Sequence, residues 1–376
     1  MPAGKLKVLA IAPYTIFPAR AGGQRFTVLF FEHIATLCDL ICVTVQSNDP
    51  GYAKGYRVFN VLSNSPLRYI NIFYFFRLRK IIRQEKINSV MLEHPYYGWL
   101  GLLLKWFCGV QLIIHSQNIE STRWKSLGKW WWPILSWYEG MTHRCANHNL
   151  FITDEDRIYA IQKFRLKEAT CITSTYGIER DAPPPPEEKR RCRQLLFEQY
   201  KWQPGTLLLL FNGALNYIPN LQAVTFILEH INPLLLQQNI PYKLIICGKG
   251  LPDSFNDLKE YENKNIVYTG FVDDISLYFK GVHVFLNPVQ EGGGIKTKLV
   301  EALGFNTPAV SVASGAIGVT TQDAGQLLSI VANNDWKEFV QESIRLGGTT
   351  ASVPRSFYTK FYWGNIARTA IAFISS

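Results

Sequence analysis

Strand-like apolar runs alternate with helix-like stretches along nearly the whole of this 376-residue chain. The alternation admits few folds. Strands joined through helical crossovers pair in parallel, and a parallel sheet needs helices on both faces. In the first half, strands are expected at 7–12, 40–45, 58–62, 89–92, 111–115, 149–152 and 170–172, with helices at 24–37 and 67–84. The second half restarts the pattern, with strands at 206–212, 242–247, 266–269, 282–287 and 309–313 and helices at 220–236, 296–303 and 336–345. Between the halves, Asp181-Ala182-Pro183-Pro184-Pro185-Pro186 continues neither helix nor sheet and reads as a boundary. The expected fold is α/β, with two Rossmann-like, doubly wound domains facing across a cleft. Their expected limits are 1–181 and 187–358, and a C-terminal helix within 359–376 packs back on the first domain.

A hydrophobic fraction of 47% against 18% charged residues describes a folded protein with large buried sheets and excludes a disordered one. No stretch approaches the ~20 uncharged apolar residues that span a bilayer. The longest attempt, 99–108, is interrupted by Lys105. Residues 1–7 lead straight into a strand without signal-peptide architecture, so a cytoplasmic protein is expected, with association at the cytoplasmic face of a membrane as an option. Cys38, Cys42, Cys108, Cys145, Cys171, Cys192 and Cys247 show no metal or disulfide spacing and read as reduced thiols. The net charge of +10 favours anionic partners. Nucleic acid is not expected, because no nucleic-acid-binding motif or dense basic arm is present. The segment 123–138 interleaves Trp124, Trp130, Trp131, Trp132 and Trp137 with Lys125 and Lys129. It suits either a water–lipid boundary or burial in an interface.

The densest chemistry lies at Glu291-Gly292-Gly293-Gly294-Ile295-Lys296-Thr297-Lys298-Leu299-Val300-Glu301-Ala302-Leu303, directly after an apolar run. Glycines let backbone N–H groups approach an anion, and a following helix turns its positive end to the same point. Helical spacing would put Gly294, Lys298 and Glu301 on one face and Ile295, Leu299 and Ala302 on a buried one. A carboxylate one turn along can accept hydrogen bonds from ribose hydroxyls, which suggests a nucleotide rather than bare phosphate. The alternative is a plain glycine turn with solvated lysines. Further strand-to-glycine exits occur at Asn212-Gly213, Cys247-Gly248-Lys249-Gly250 and Thr269-Gly270-Phe271-Val272. In the first half, Pro18-Ala19-Arg20-Ala21-Gly22-Gly23-Gln24-Arg25 is either a second phosphate loop or a tight turn, and Ser116-Gln117-Asn118-Ile119-Glu120 is a polar cluster at a strand end. Thr153-Asp154-Glu155-Asp156 reads as a helix start rather than a metal–diphosphate motif, and no required metal is expected.

In their order along both halves, these motifs resemble those of the GT-B glycosyltransferases, specifically the retaining family 4 (glycosyl transferases group 1). The strongest likeness runs from Asn287-Pro288 to Pro308. Gly22-Gly23, Asn118-Ile119-Glu120, Tyr176-Gly177-Ile178-Glu179, Asn212-Gly213, Pro219-Asn220, Gly248-Lys249-Gly250 and Gly270-Phe271-Val272 support it. The resemblance implies a UDP- or GDP-sugar as donor substrate, bound on the second domain without a cofactor. Its sugar would pass with retention to a glycan, glycolipid or natural-product acceptor on the first domain. By the same likeness Glu301 holds the ribose, Gly292, Gly293, Gly294 and Lys298 the diphosphate, and Glu291 the donor sugar, with Ile295 and Lys296 also on the donor side. Gly213, Gly248 and Val272 complete the donor side, and Gly22, Gly23, Arg25 and Asn118 form the acceptor or phosphate loop. Lys298, Glu291 and Gln117 are the expected catalytic residues. Three departures stand out, the first being that the Arg and Lys often found after the Asn212-Gly213 strand are missing, with Lys296 and Lys298 as the alternative source of that charge. Glu291 and Glu301 lie two positions further apart than the group's usual pair, and Gln117 stands where many members have histidine. Other readings of the same architecture are a sugar-nucleotide epimerase, a phosphorylase or a non-catalytic sugar-nucleotide-binding protein.

Overall fold

The computed structural model describes residues 6–19 and 22–376. Arg20 and Ala21 of the glycine-rich loop, and residues 1–5, lie outside the described residues. The chain forms two compact units, Met1–Glu179 with Phe361–Ser376, and Arg180–Lys360.

The first unit is built on β1 (Lys7–Ile11), β2 (Asp39–Val45), β3 (Arg57–Leu62), β4 (Ser89–Glu93), β5 (Gln111–Ser116), β6 (His148–Phe151) and β7 (Cys171–Thr173). They lie in the order β3-β2-β1-β4-β5-β6-β7, every neighbouring pair parallel. Its helices are α1 (Gly22–Ala35), α2 (Phe73–Glu85), α3 (Gly98–Cys108), α4 (Glu120–Ser126), α5 (Trp132–Cys145) and α6 (Asp154–Phe164). All five residues of β4 are buried, as befits a strand covered on both faces.

The second unit begins with α7 (Pro186–Tyr200), β8 (Leu207–Asn212), α8 (Ile218–Phe226), α9 (Asn232–Leu236), β9 (Tyr242–Cys247) and β10 (Ile266–Gly270). It continues through α10 (Ile275–Gly281), β11 (Val284–Asn287), α11 (Thr297–Gly304), β12 (Ala309–Val312), α12 (Thr321–Ala324), β13 (Leu328–Val331) and α13 (Trp336–Gly347). Its sheet, also parallel, has the order β10-β9-β8-β11-β12-β13. After α14 (Arg355–Phe361), the last helix, α15 (Trp363–Ile374), returns to the first unit and packs on α1. Trp363 is fully buried there, edge-on to Phe26 at 5.5 Å. Gly177 is glycine because a Cβ at that position would stand 2.4 Å from the Trp363 ring.

Four local expectations are corrected. The helix expected over 67–84 is broken into a 3-10 turn, Pro66–Ile70, and α2. Asn71 breaks it by adopting extended backbone while its side chain accepts from the Phe73 N–H at 3.0 Å. Of the four prolines, Pro186 opens α7, where a missing N–H costs nothing. The helix expected at 296 starts at Thr297, because Lys296 has extended backbone, so Gly294 and Ile295 belong to the preceding loop. Finally, β13, Leu-Ser-Ile-Val, adds an edge strand that sequence reading missed.

Candidate nucleotide-sugar site

In the second sheet the strand order reverses between β8 and β11, and the carboxyl ends of such strands are where doubly wound sheets bind ligands. The exits of β8, β9 and β10 are stitched together. Gly213 N–H donates to Cys247 O at 3.1 Å, Leu215 N–H to Lys249 O at 2.9 Å and Gly248 N–H to Gly270 O at 2.8 Å. Gly248 has φ 151°, and a Cβ there would lie 1.8 Å from the Gly213 carbonyl oxygen, so no other residue fits without moving backbone. Val272 is half-buried beside its exposed aromatic neighbour Phe271. Asp274 caps α10, accepting from the Ser276 N–H at 2.9 Å.

At the exit of β11, the buried Asn287 side chain donates to Ser311 Oγ at 2.8 Å and Gly315 O at 2.9 Å, tying the two strand ends together. The glycine loop then runs outward, with Glu291, Gly292 and Gly293 exposed and Gly294 half-buried. Gly292 and Gly294 have φ 85° and 68°. The Tyr217 hydroxyl is 2.9 Å from where a Cβ on Gly292 would be, a second neighbour that the sequence did not disclose. Lys296 Nζ donates to the carbonyl oxygens of Gly292 and Gly294, and burial lowers its pKa to about 8. No side chain caps the start of α11. On that helix Leu299 and Ala302 are fully buried, while Lys298 Nζ meets Glu301 Oε2 at 2.8 Å. The structure thus gathers Gly213, Gly248, Gly292, Gly293, Gly294, Lys296, Lys298, Glu301 and Val272 on one unit, at or just beyond the carboxyl ends of its strands.

Glu291 and Ile295 lie in the same loop, whereas Gly22, Gly23, Arg25, Gln117 and Asn118 belong to the first unit, whose strand order reverses between β1 and β4. Gly22 and Gly23 form the first turn of α1, and a Cβ on Gly23 would come within 3.2 Å of Gln117 Oε1. Arg25 is exposed and Asn118 half-buried. Gln117 is buried, and its amide nitrogen donates to Thr27 Oγ1 at 2.7 Å, Glu93 Oε2 at 3.1 Å and the Tyr14 hydroxyl at 3.1 Å. The amide nitrogen is thus engaged by protein partners. Glu93 also meets His115 Nδ1 at 2.7 Å. Burial first, and Glu93 second, hold the Tyr14 hydroxyl well above the ordinary phenol range, so it stays neutral.

A second buried group adjoins this one. His94 has φ 66° without being glycine, a costly backbone state, and its Nδ1 lies 2.9 Å from Glu120 Oε1. The Tyr96 hydroxyl donates to Glu120 Oε2 at 2.5 Å. Burial pushes the Glu120 carboxyl up, yet these partners outweigh it and hold the group below the usual range. Its positive φ marks His94 as a functional candidate, and nothing in the sequence announced it. Thr153 caps α6, accepting from the Asp156 N–H at 3.1 Å, which explains the acidic triplet. Among the described residues no three His, Cys, Asp or Glu side chains cluster so as to hold a metal ion, and no helix is long and apolar enough to cross a membrane.

Comparisons with known proteins bear on the family and the fold. The family described as Glycosyl transferases group 1 matches residues 206–347, and Glycosyltransferase Family 4 matches residues 21–175. The fold is similar to that of Anabaena Alr3699/HepE, solved in complex with UDP, with TM-score 0.72 and 12% identity over 98% of this chain and 100% of that one. It is also similar to a glycosyltransferase of Rickettsia africae ESF-5, with TM-score 0.70 and 14% identity over 99% and 98% of the two chains. An uncharacterised 44.6 kDa protein of the cps region of Klebsiella pneumoniae is 27% identical over 145 residues, a match spanning 37% of each chain. With a matching family on each parallel-sheet unit and GT-B neighbours that span nearly its full length, the chain belongs to the family 4, group 1 glycosyltransferases.

Proposed function

We propose that this glycosyltransferase moves a sugar, with retained anomeric configuration and without a metal ion, from a UDP- or GDP-sugar to a glycan, glycolipid or natural-product acceptor. The observation that carries the reading is the Lys298–Glu301 pair, 2.8 Å apart in the helix that follows the glycine loop at the reversal of the second sheet. Glu301 accepts the ribose hydroxyls, and Lys298 turns from Glu301 to the diphosphate. Gly292, Gly293, Gly294 and the uncapped start of α11 offer N–H groups to the same anion, and Glu291 takes the donor sugar's hydroxyls. When the bond from the anomeric carbon to the phosphate oxygen breaks, charge grows on that oxygen, where fixed amides and ammonium groups stabilise it. The acceptor oxygen attacks on the face that the phosphate leaves, and the departing oxygen takes its proton. The first unit binds the acceptor, with Gly22, Gly23, Arg25 and Asn118 at its rim and Gln117 as a positioning group. The exposed Trp130 and Trp137 support peripheral membrane contact through 123–138.

Lys298→Ala and Glu301→Ala are each expected to lower turnover at least about a hundredfold through the lost leaving-group and ribose contacts. A folded double variant that turns over at the wild-type rate refutes the site. Activity that vanishes with a chelator and returns with Mn²⁺ refutes the metal-free reading, and interconversion of free donor without acceptor favours an epimerase.

A further inference from the structure

Well away in sequence from 123–138, the 3-10 turn Pro66–Ile70 and helix α2 carry a second exposed aromatic and cationic face. Ile70 is 75% exposed and Phe73 71%, with Phe76 beside them, which is costly in water unless something covers them. Along α2 the exposed positions change character. Phe73 and Phe76 occupy the first turn, and Arg77, Lys80 and Arg83 continue the same solvent side. On α3, Trp99, Leu103 and Trp106 are spaced i, i+4 and i+7 and rise from half-buried to exposed.

These surfaces are joined. The Phe75 ring meets Phe107 of α3 at 5.8 Å. The Trp99 indole N–H donates to Tyr69 O at 2.8 Å, and the Trp99 backbone N–H to the Tyr138 hydroxyl of α5 at 2.9 Å. Helix α3 therefore bridges the turn before α2 to the helix that bears Ile134 and Trp137, both exposed.

The charge on these segments has one sign. No acidic residue occurs between Asp49 and Glu85, between Glu93 and Glu120, or between Glu120 and Glu139. Glu93, Glu120 and Glu139 are all buried, and Glu85 is engaged by Arg57 at 2.6 Å. Arg77, Lys80, Arg83, Lys125 and Lys129 thus surround the aromatic side chains with no exposed carboxylate from the same segments.

We propose that α2, with the turn before it and the end of α3, forms one lipid-binding face with 123–138, and that its partner is an anionic bilayer surface. Aromatic rings enter the headgroup boundary while the lysines and arginines meet lipid phosphates. A second protein copy is disfavoured by the charge, since an isologous contact would bring these cations together. The inference extends the peripheral contact proposed for 123–138 and is independent of the transferase reading, because vesicle binding and sugar transfer fail separately.

The test is co-sedimentation of the full chain with vesicles of phosphatidylcholine alone and with about 30% phosphatidylglycerol added. Wild type is expected to bind only the anionic vesicles, and less well as salt rises. Arg77→Gln/Lys80→Gln/Arg83→Gln should weaken partitioning about a hundredfold, at about fivefold per cation, and Phe73→Ser/Phe76→Ser at least about tenfold. Unchanged thermal melting confirms that these surface variants fold. Quenching of the wild-type tryptophans by brominated phosphatidylglycerol vesicles gives a readout that needs no variant. Equal binding to neutral vesicles overturns the proposal. So do α2 variants that bind like wild type while Trp130→Ser/Trp137→Ser abolishes binding, or a wild-type dimer that Phe73→Ser/Phe76→Ser converts to monomer.

Discussion

Gly248→Ala puts the smallest side chain at the most crowded point of the proposed donor site. Its Cβ would stand 1.8 Å from the Gly213 carbonyl oxygen, in a backbone state, φ 151°, that a side chain strongly disfavours. Relieving that contact requires a shift of more than about 1 Å in the exit of β8, β9 or both, because close-packed backbone has nowhere softer to yield. The shift endangers two hydrogen bonds, Gly213 N–H to Cys247 O at 3.1 Å and Gly248 N–H to Gly270 O at 2.8 Å. At about 1 kcal/mol for each bond and about 1–3 kcal/mol for overpacking, the expected loss is about 3–5 kcal/mol in the unit Arg180–Lys360. Hydrogen exchange resolved on peptides spanning 206–213 and 242–250, during urea titration, reads that unit alone. Misplacing the site by about 1 Å should also lower turnover on the order of a hundredfold in protein that remains folded. A loss below about 1 kcal/mol with unchanged turnover would show that the strand exits are free to move apart, and the reasoning would fail.

Two further outcomes follow from titrating groups. Lys296, whose pKa burial lowers to about 8, carries its charge below that pH and loses it above, so UDP affinity measured by calorimetry should weaken as pH rises past about 8. Lys296→Arg should remove the decline, and a flat wild-type profile to about pH 9.5 would contradict it. Glu139 accepts from the Glu120 and Ser121 N–H groups at 2.8 and 2.9 Å, and burial raises its pKa from 4.5 to about 7. The folded state thus holds this proton more tightly than the unfolded one. Its contribution is complete below about pH 4.5 and is lost through about pH 7, amounting to about 3 kcal/mol. Glu139→Gln, whose amide nitrogen cannot accept from the second N–H, should lose a pH-independent amount of stability but also lose the decline between about pH 4.5 and 7 in denaturant melts, and parallel pH profiles would refute the assignment.

The strands were legible because of how they are buried. Leu207–Asn212 reads Leu-Leu-Leu-Leu-Phe-Asn, and such a run has one use in a parallel sheet. Strand β13 escaped notice because Ser329 and the part-exposed Ile330 interrupt its apolar character at the sheet's edge. The glycine loop proposed to hold the donor was legible because its residues are local, with glycines, Lys298 and Glu301 inside one short stretch. The surroundings of Gln117 were not, since its partners Tyr14, Thr27 and Glu93 come from distant points of the chain and only the folded sheet brings them together. The backbone state of His94 left no compositional trace either.

The pairing of Ile178 with Tyr362 has a topological consequence. Ile178 N–H donates to Phe361 O at 2.6 Å, and Trp363 N–H to Ile178 O at 3.0 Å, so the chain leaves the first unit and re-enters it through adjoining, hydrogen-bonded segments. Arg180–Lys360 is therefore an insertion whose two ends are held together by its host. Insertions with adjacent ends tolerate excision and circular permutation, so this unit can be closed by a short linker and produced alone. The host bears the cost of losing its tail. Deleting the last 14 residues would empty the space that Gly177 keeps for Trp363 and expose Phe26 and Phe30 of α1, making the C-terminus part of the N-terminal fold.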